Sequence, residues 1–329
     1  MRDWVWWVSS VSNITTSVVG VAANTFMIFV ILKKTPTQLA TFSIIFLNTA
    51  FCDLLACFTA LLVRQRVIPT AVDLCYISNG PCTYFGPSVC FFMNGFMLHL
   101  FAHAIWGILF SFAYRYYILN HPPPKQSSVA VVIVLIYLPS FLQLVLYSLS
   151  ASDSEQVKLV IEEKLGYNVS SECVSGHLNL DWKMDYVNAH MVLSTPTSFI
   201  GVLILRKLIT SSVIVGVVNM SENTRRLHSQ LIRVLTIQAC LPMFFILGAI
   251  GYLLGQADIC HHPLLESSFI FVAEPIPALN PFVLLYSIGP YRLWVQGALR
   301  DFRRSLFSKQ NKTNVCTVSM TTAPVLTRL

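Results

Sequence analysis

Long blocks of mostly apolar residues alternate with short polar joints along the whole chain. Seven blocks are long enough for a helix that crosses a bilayer, because a hydrocarbon core about 30 Å thick requires roughly 20 apolar residues. Their approximate bounds, which define spans 1 to 7, are Val8–Leu32, Leu39–Val63, Ser88–Leu119, Val129–Leu149, Val187–Ile209, Leu231–Leu254 and Leu265–Ser287. Since lipid leaves an open sheet edge without partners, the pattern predicts an all-α membrane protein, a bundle of seven transmembrane helices.

Span 1 lies near the first residue, where a secretory signal would also lie. Its apolar run from Trp4 to Leu32 exceeds the roughly 7–15 residues of a signal core, and no small-residue cleavage site follows it. We therefore expect this segment to remain as a span.

Composition agrees with a membrane protein, and the charges predict its orientation. Charged residues are 11% of the chain, against about 25% in soluble domains. With the N-terminus outside, 16 of the 22 lysines and arginines lie on the cytoplasmic side and six outside. The excess of basic residues on the inner side predicts N-terminus out and C-terminus in. The net charge of +7 is then a topology signal, and it does not indicate nucleic-acid binding.

The segment after span 7 alternates apolar residues with arginines at helical spacing. The pattern predicts a short amphipathic eighth helix at 290–308 that lies on the membrane surface. We expect residues 1–289 to form the bundle and residues 309–329, rich in Ser, Thr, Asn and Lys, to be a disordered cytoplasmic tail.

Five of the nine cysteines fall on the outer side, where disulfides persist. They are Cys75, Cys82, Cys90, Cys173 and Cys260. Because five is odd, at least one is unpaired or pairs between chains. The longest outer loop carries the sequon Asn168-Val169-Ser170, which predicts glycosylation at Asn168. No residue cluster has metal-ligand spacing, so we expect no metal and no cofactor.

Ionisable and amide groups at membrane depth are costly and therefore indicate function. Asp53 lies in the middle of span 2, Asn24 in span 1 and Asn280 in span 7, so these three side chains could meet as a polar hub. The alternative is a hydrogen-bonded cluster that only holds the helices together. Glu274 precedes three prolines that loosen span 7, where it could contact a ligand or a neighbouring helix.

The segments TFSIIFLNTAFCDLL, GPCTYFGPSVC, FAYRYYIL followed by prolines, and NPFVLLYSIGPYR carry a family resemblance. The chain resembles seven-helix receptors of the G-protein-coupled type, and most closely the nematode serpentine chemoreceptors of the delta class (Srd). The resemblance covers essentially the whole chain.

The resemblance assigns expected roles to individual residues. Asn48 and Asp53 match the asparagine-then-acid pattern of the receptors' second helix, which adds Asn48 to the expected hub. The switch and coupling residues it implies are Arg115, Tyr116, Pro242, Asn280 and Pro281. It also implies a disulfide between Cys90 and Cys173, with Cys82 as a rival for the same partner.

Three departures from the rhodopsin-like pattern put the usual switch in doubt. Tyr114 stands before Arg115 where an acid is usual, no tryptophan precedes Pro242 by two positions, and the tyrosine after Asn280-Pro281 comes late, at Tyr286.

The resemblance implies a chemosensory receptor in the plasma membrane, expected in sensory neuron cilia and acting in olfaction. A small, largely apolar or amphipathic odorant would bind between the outer halves of the helices and a heterotrimeric G protein at the inner ends. The candidate pocket residues are Asn94, Met97, Phe101, Phe244 and Glu274.

Other classes of function are less well supported. A secondary transporter would show two related halves with broken helices, and a ligand-gated channel subunit would have a cytoplasmic N-terminus, which the charge count disfavours. An enzyme is not indicated, since no catalytic cluster such as GxSxG is present.

Overall fold

The computed structural model describes residues 2–70, 73–179, 181–216, 243–257, 262–267 and 271–301, with the separate residues 232, 236, 237, 240, 259, 303 and 304. Each predicted span contains helix in this described part. The helices are Arg2–Lys34, Ala40–Val63, Pro87–Asn120, Gln126–Leu149, Trp182–Gly216, Met243–Gln256 and Pro275–Ser287. The first five contain segments long and apolar enough to cross a membrane, while the described helices of spans 6 and 7 are shorter. We use outer and inner for the two ends of the bundle in the sense that the charge count predicts.

Span 3 lies at the centre of the bundle. It contacts spans 2, 4 and 5, and span 1 contacts spans 2 and 7 on the other side. The largest apolar core draws side chains from most of the spans; six of its members are Met27, Phe42, Phe112, Val129, Val202 and Leu284. Burial of these side chains brings the inner halves of the helices together, since packing drives helix association in lipid.

Two glycines allow helices to approach closely. A Cβ at Gly95 would lie 2.4 Å from the Tyr147 ring, and a Cβ at Gly20 would lie 2.4 Å from the Cys57 sulfur. Neither separation is sterically possible, so these positions set how closely span 3 meets span 4 and span 1 meets span 2.

The prolines at 122–124 end span 3 as the sequence predicts. The helix stops at Asn120, and His121 is extended, with ψ 157°. A residue before proline is driven out of the helical region by the proline ring. Span 4 begins at Gln126, directly after Lys125.

A small folded unit on the outer side, here called the outer cap, was not predicted from the sequence. It contains strands β1 Gln65–Pro69, β2 Leu74–Ser78 and β3 Cys173–His177, which form one antiparallel sheet in the order β1-β2-β3. The helix Ser154–Leu165 completes it, with Asp153 as N-cap and Gly166 in the left-handed conformation at its end. The strands have five residues each, too short for their pattern to stand out between spans.

The outer cap has a core and ion pairs of its own. Its buried residues are Ile68, Cys75, Ile77, Val157, Ile161, Tyr167, Val169 and Val174. Lys164 Nζ lies 2.7 Å from the Asp73 carboxylate, and the Asn179 N–H donates to the same carboxylate at 2.9 Å. Burial alone would raise the pKa of Asp73, but the hydrogen bonds and charge of these donors hold it below its ordinary value.

A second ion pair joins the cap to the outer end of span 7. Arg66 of β1 contacts the buried carboxylate of Glu266, which also accepts a hydrogen bond from the Tyr167 hydroxyl at 3.0 Å. Glu266 lies in the short helix Pro263–Glu266. Three segments far apart in the chain therefore meet at one carboxylate.

An aromatic cluster seals the cap onto spans 3 and 4. The rings of Phe91 and Tyr147 are stacked with their centroids 4.5 Å apart, and His177 of β3 packs edge-on against both. Tyr76 of β2 packs against the same group. Stacked and edge-to-face pairs of this kind contribute about 0.5–1.5 kcal/mol each beyond their burial.

The resemblance implies a disulfide between Cys90 and Cys173, and the structure contradicts this prediction. Cys82 pairs with Cys90 instead, and Cys173 is a free thiol whose Sγ lies 3.8 Å from that of Cys90. The short helix Pro81–Phe85 brings the Cα of Cys82 to 5.1 Å from that of Cys90, within the range a disulfide requires. Neither sulfur is then available to Cys173.

The chain after span 7 continues as a helix over residues 289–301. Trp294 packs against Phe26 and Phe29 of span 1, and the ammonium of Lys34 lies 5.3 Å above its ring. Leu293 and Leu299 are exposed. Docking of this helix on span 1 is compatible with the predicted membrane-surface helix; residues 305–329, including the predicted tail, lie outside the described residues.

We expect Cys173→Ser to leave the disulfide intact, because the bridge joins Cys82 to Cys90. Peptide mapping by mass spectrometry without reduction should recover the same crosslinked pair from the wild type and the variant. Cys82→Ser, the matched control, should lose the pair. A crosslink between Cys90 and Cys173 in the wild type would contradict the assignment.

The cap should lose stability in acid because His177 is buried as a neutral ring. Its Nδ1–H donates to the Ser150 carbonyl at 2.8 Å, while no described residue bonds its buried Nε2. Burial lowers the pKa of His177 to about 4. The unfolded cap takes up the proton first, so stability falls from about pH 6.5 towards pH 4, by up to about 1.4 kcal/mol per pH unit.

Hydrogen exchange of the β3 amides at pH 7 and pH 5 measures this effect. His177→Gln keeps a donor for Ser150 but cannot take up a proton, and we expect it to remove the acid sensitivity. His121→Gln, at an exposed position on the inner side, is the control and should keep the acid sensitivity of the wild type. Equal acid sensitivity in all three proteins would refute the role of His177.

Candidate functional site

Asp53 and Asn280 form the buried contact that the hub prediction requires. The Asn280 side-chain N–H donates to the Asp53 carboxyl at 2.9 Å, and both residues are almost inaccessible to solvent. A cavity of about 10 Å³ beside them is also lined by Asn24 and Thr49, and this is close to the space that one water occupies. Spans 1, 2 and 7 therefore meet at a polar cavity in the middle of the bundle.

Asn24 reaches span 7 through a carbonyl that a proline has freed. Its side-chain N–H donates to the Pro277 carbonyl at 2.9 Å. In a regular helix that carbonyl would accept from the N–H four residues later, but position 281 is proline and has none. Asn24 thus replaces a missing helical hydrogen bond with one between helices, and it does not bond Asp53 or Asn280 directly.

A second buried contact joins spans 1 and 7 nearer the outer side. The Asn13 side-chain N–H donates to the Glu274 carboxyl at 2.5 Å and to the Ala60 carbonyl of span 2 at 3.4 Å. Asn13 was not among the site residues predicted from the sequence. The sequence does contain a reason to consider Asn13, because it is an amide within an apolar span. The same criterion identified Asn24.

Asn48, the fourth predicted member of the hub, lies at a different interface. It contacts the imidazole of His103 in span 3 at 3.1 Å. One helical turn away, His99 contacts the hydroxyl of Tyr137 in span 4 at 3.1 Å. Asn24, Asp53 and Asn280 therefore lie around one cavity, whereas Asn48 belongs to a polar seam between spans 2, 3 and 4; a switching role for these residues stays a prediction.

A polar relay that the sequence did not predict joins spans 3, 4 and 5. The Trp106 indole N–H donates to His190 Nε2 at 3.3 Å, so the other ring nitrogen carries the proton and donates to the Gln143 carbonyl at 2.6 Å. The three partners are far apart in the sequence, and only the packing of the helices brings them together.

The predicted ligand residues on span 3 are packed rather than open. Asn94 donates to the Tyr147 hydroxyl at 2.6 Å. Met97 and Phe101 are buried in a cluster with Cys52 of span 2. In this conformation all three side chains contribute to the interior of the bundle.

The other two predicted ligand residues lie elsewhere. Phe244 is 54% exposed on the outside of span 6, and Glu274 faces Asn13 of span 1. The five candidates therefore do not converge on one cavity in the described residues. Asn94, Met97 and Phe101 are spaced by three and four residues and so share one face of span 3. This spacing does not determine which side chains of neighbouring helices cover that face.

Arg115 is buried at the inner end of span 3, with 1% of its surface exposed. Its guanidinium lies 5.5 Å above the ring of Phe42, and Tyr114 packs against the same ring at 5.5 Å. Tyr116, another predicted coupling residue, packs against the inner apolar core. Pro281 is buried in span 7, and Pro242 lies outside the described residues.

We expect Asn280→Ala to destabilise the bundle by about 1–3 kcal/mol, because it leaves a buried carboxyl without its hydrogen-bond donor. The free energy of unfolding in detergent with added denaturant measures the change. Asn120→Ala is the matched control, since that amide is exposed and bonds only within its own helix. Equal stability of the two variants would contradict a structural role for the contact.

Comparison with known proteins agrees with this geometry. The profile of the family described as "Serpentine type 7TM GPCR chemoreceptor Srd" matches residues 9–297. Serpentine receptor class delta-3 of Caenorhabditis elegans is 32% identical, over 84% of this chain and 83% of its own. Serpentine receptor class delta-18 of the same organism is also 32% identical, over 84% of each chain.

Among solved structures, squid rhodopsin has a similar fold. It superposes with a TM-score of 0.60 over 91% of this chain and 86% of its own, at 13% identity. The seven-helix fold predicted from the apolar blocks is thus confirmed. The chain is a multi-pass membrane protein and belongs to the Srd family of serpentine chemoreceptors, which are seven-helix receptors of the G-protein-coupled type and not enzymes.

Proposed function

We propose that this receptor binds a small apolar or amphipathic odorant from the outer side and signals to a heterotrimeric G protein. Its place of action would be the plasma membrane of sensory neuron cilia. Family membership supports the chemosensory part of the proposal. The positive-inside count supports an inner face for the G protein and an outer face for the odorant.

The single observation that carries the coupling proposal is the position of Arg115. A guanidinium buried at the end of a membrane helix is costly, and such residues are retained where they act. Its contact with the Phe42 ring offsets part of this cost. If the inner ends of spans 3, 5 and 6 separate, the guanidinium becomes free to donate to carbonyls of a G-protein α subunit.

The buried polar contacts between spans 1, 2 and 7 offer a way for an odorant to act on the inner side. Asn13 with Glu274 and Asp53 with Asn280 both join span 7 to its neighbours. An odorant that binds one packing of these helices more tightly than another shifts the population towards it. The shift is limited to the difference between the two binding free energies.

The outer cap restricts where an odorant enters. Its aromatic cluster covers the outer ends of spans 3 and 4, where Asn94 is already bonded to Tyr147. Among the described residues, entry beside spans 1 and 7 leads to a buried polar group, Glu274.

We expect Arg115→Ala to reduce recruitment of an engineered Gα subunit to background, because the arginine supplies the donors for the docking contact. Recruitment is measured by luminescence complementation in cells exposed to an odorant mixture, with surface receptor quantified by an N-terminal epitope tag. Arg303→Ala, at an exposed arginine on the same side, is the control. Normal recruitment by Arg115→Ala at equal surface level would refute the assigned role.

A further inference from the structure

A polar cleft lies at the outer end of the bundle between span 1, β1 and the outer end of span 7. Its volume is about 30 Å³. The residues that line it are Val5, Trp6, Ser9, Ser10, Asn13, Arg64, Gln65, Arg66, Asn79 and Ser267. We propose that this cleft binds the hydroxyl group of an amphipathic alcohol, an inference that rests on the proposed function and names the chemical class of its ligand.

Two buried carbonyl oxygens in the cleft wall have no hydrogen-bond donor among the described residues. They are Oδ1 of Asn13 and Oε1 of Gln65, on residues that are 1% and 2% exposed. The orientation of the Asn13 amide follows from its partners, because its N–H group faces the acceptors of Glu274 and Ala60. A buried polar atom left without a partner costs about 1–3 kcal/mol. A ligand group that donates a hydrogen bond to one of these oxygens is therefore favoured.

Arg64, which also lines the cleft, has a buried Nε–H that finds no acceptor among the described residues. Arg64 follows span 2 directly in the left-handed conformation, with φ 42°, which turns the chain from the helix into β1. The described residues place no carboxylate in an ion pair with it, whereas Arg66 is paired with Glu266. Three residues of the wall, Asn13, Arg64 and Gln65, therefore each carry a buried polar atom without a partner among the described residues.

These groups select an uncharged ligand group that both donates and accepts. An ammonium would supply donors but is repelled by the positive charge of Arg64, and it offers no acceptor for Nε–H. A carboxylate would accept from Arg64 but would face two carbonyl oxygens without a hydrogen to give them. A hydroxyl donates one hydrogen bond and accepts others, so it satisfies both kinds of group.

The size of the cleft points to the same group. A volume of about 30 Å³ admits one or two water-sized groups, because one water needs at least about 10–15 Å³. The rest of the ligand must lie outside the cleft, where Val5 is buried and Trp6 is 41% exposed. An apolar chain can pack along these side chains towards the lipid while its hydroxyl stays in the cleft.

A ligand in the cleft would contact the helices whose packing changes in the proposed function. The same Asn13 amide that offers its oxygen to the ligand donates through its nitrogen to Glu274 of span 7. Arg64 and Gln65 begin directly after span 2. A hydroxyl bound here therefore contacts the outer ends of spans 1 and 2 and lies one hydrogen bond away from span 7.

The test is photolabelling of the full chain in lipid nanodiscs with a straight-chain alkanol that carries a diazirine. We expect saturable labelling of the peptide that contains Trp6, and protection by 1-octanol but not by octane, octylamine or octanoate. Gln65→Met removes one acceptor at nearly constant volume. It should weaken the protection by 1-octanol about three- to tenfold, the value of one net hydrogen bond.

Gln126→Met, the same change at an exposed position of span 4, is the matched control and should leave the protection unchanged. Because Gln65 Oε1 has no donor among the described residues, Gln65→Met should fold at least as stably as the wild type. The competitor series in the wild type does not depend on the variant. Equal protection by octane and 1-octanol, labelling spread evenly over the spans, or an unaffected Gln65→Met would overturn the proposal and leave the cleft as a water site.

The outcomes separate this inference from the proposed function. Labelling with the expected selectivity in a receptor that never recruits a Gα subunit would sustain the alcohol site and refute the signalling proposal. Odorant-driven recruitment of a Gα subunit without labelling of the cleft would support the signalling proposal and refute the alcohol site.

Discussion

Hydrocarbon offers no hydrogen-bond partner, so the buried side chains between spans 1, 2 and 7 are stabilised by hydrogen bonds to other helices. Asp53 with Asn280, Asn24 with the carbonyl freed by Pro281, and Asn13 with Glu274 form three such contacts at increasing height along span 7. They fix the rotation of span 7 about its own axis, because turning it by one residue would remove all three donors or acceptors together. Hydrophobicity alone does not set this rotation, since lipid tails are as apolar as leucine.

The features predicted from the sequence follow from length and chemistry along one helix. Apolar blocks of about 20 residues locate the spans, and a carboxyl and two amides at membrane depth identify Asp53, Asn24 and Asn280 as neighbours. Asn48 carried the same kind of signal, yet it faces His103, because the criterion identifies a polar group and not the direction in which it points.

The features that were missed depend on contacts between distant segments. The cap sheet pairs Leu74 with His177, about a hundred positions apart, and its five-residue strands carry too little pattern to be recognised. The relay through His190 likewise depends on three helices that only tertiary packing brings together. The disulfide was expected between Cys90 and Cys173 because the resemblance supplied that pairing, whereas the turn at Pro81 brings Cys82 within bonding distance of Cys90.

The bridge between Cys82 and Cys90 closes a ring only eight positions long. A bridge from Cys90 to Cys173 would instead have enclosed nearly all of span 3, span 4 and the cap helix Ser154–Leu165 in one covalent loop. Without it, within the described structure, the cap remains on the bundle through reversible forces: the stacked rings around Tyr147 and the contact of Arg66 with Glu266. Its docking is therefore an equilibrium that temperature, salt and pH can shift, and separation of the cap from the outer ends of spans 3 and 4 would break no disulfide.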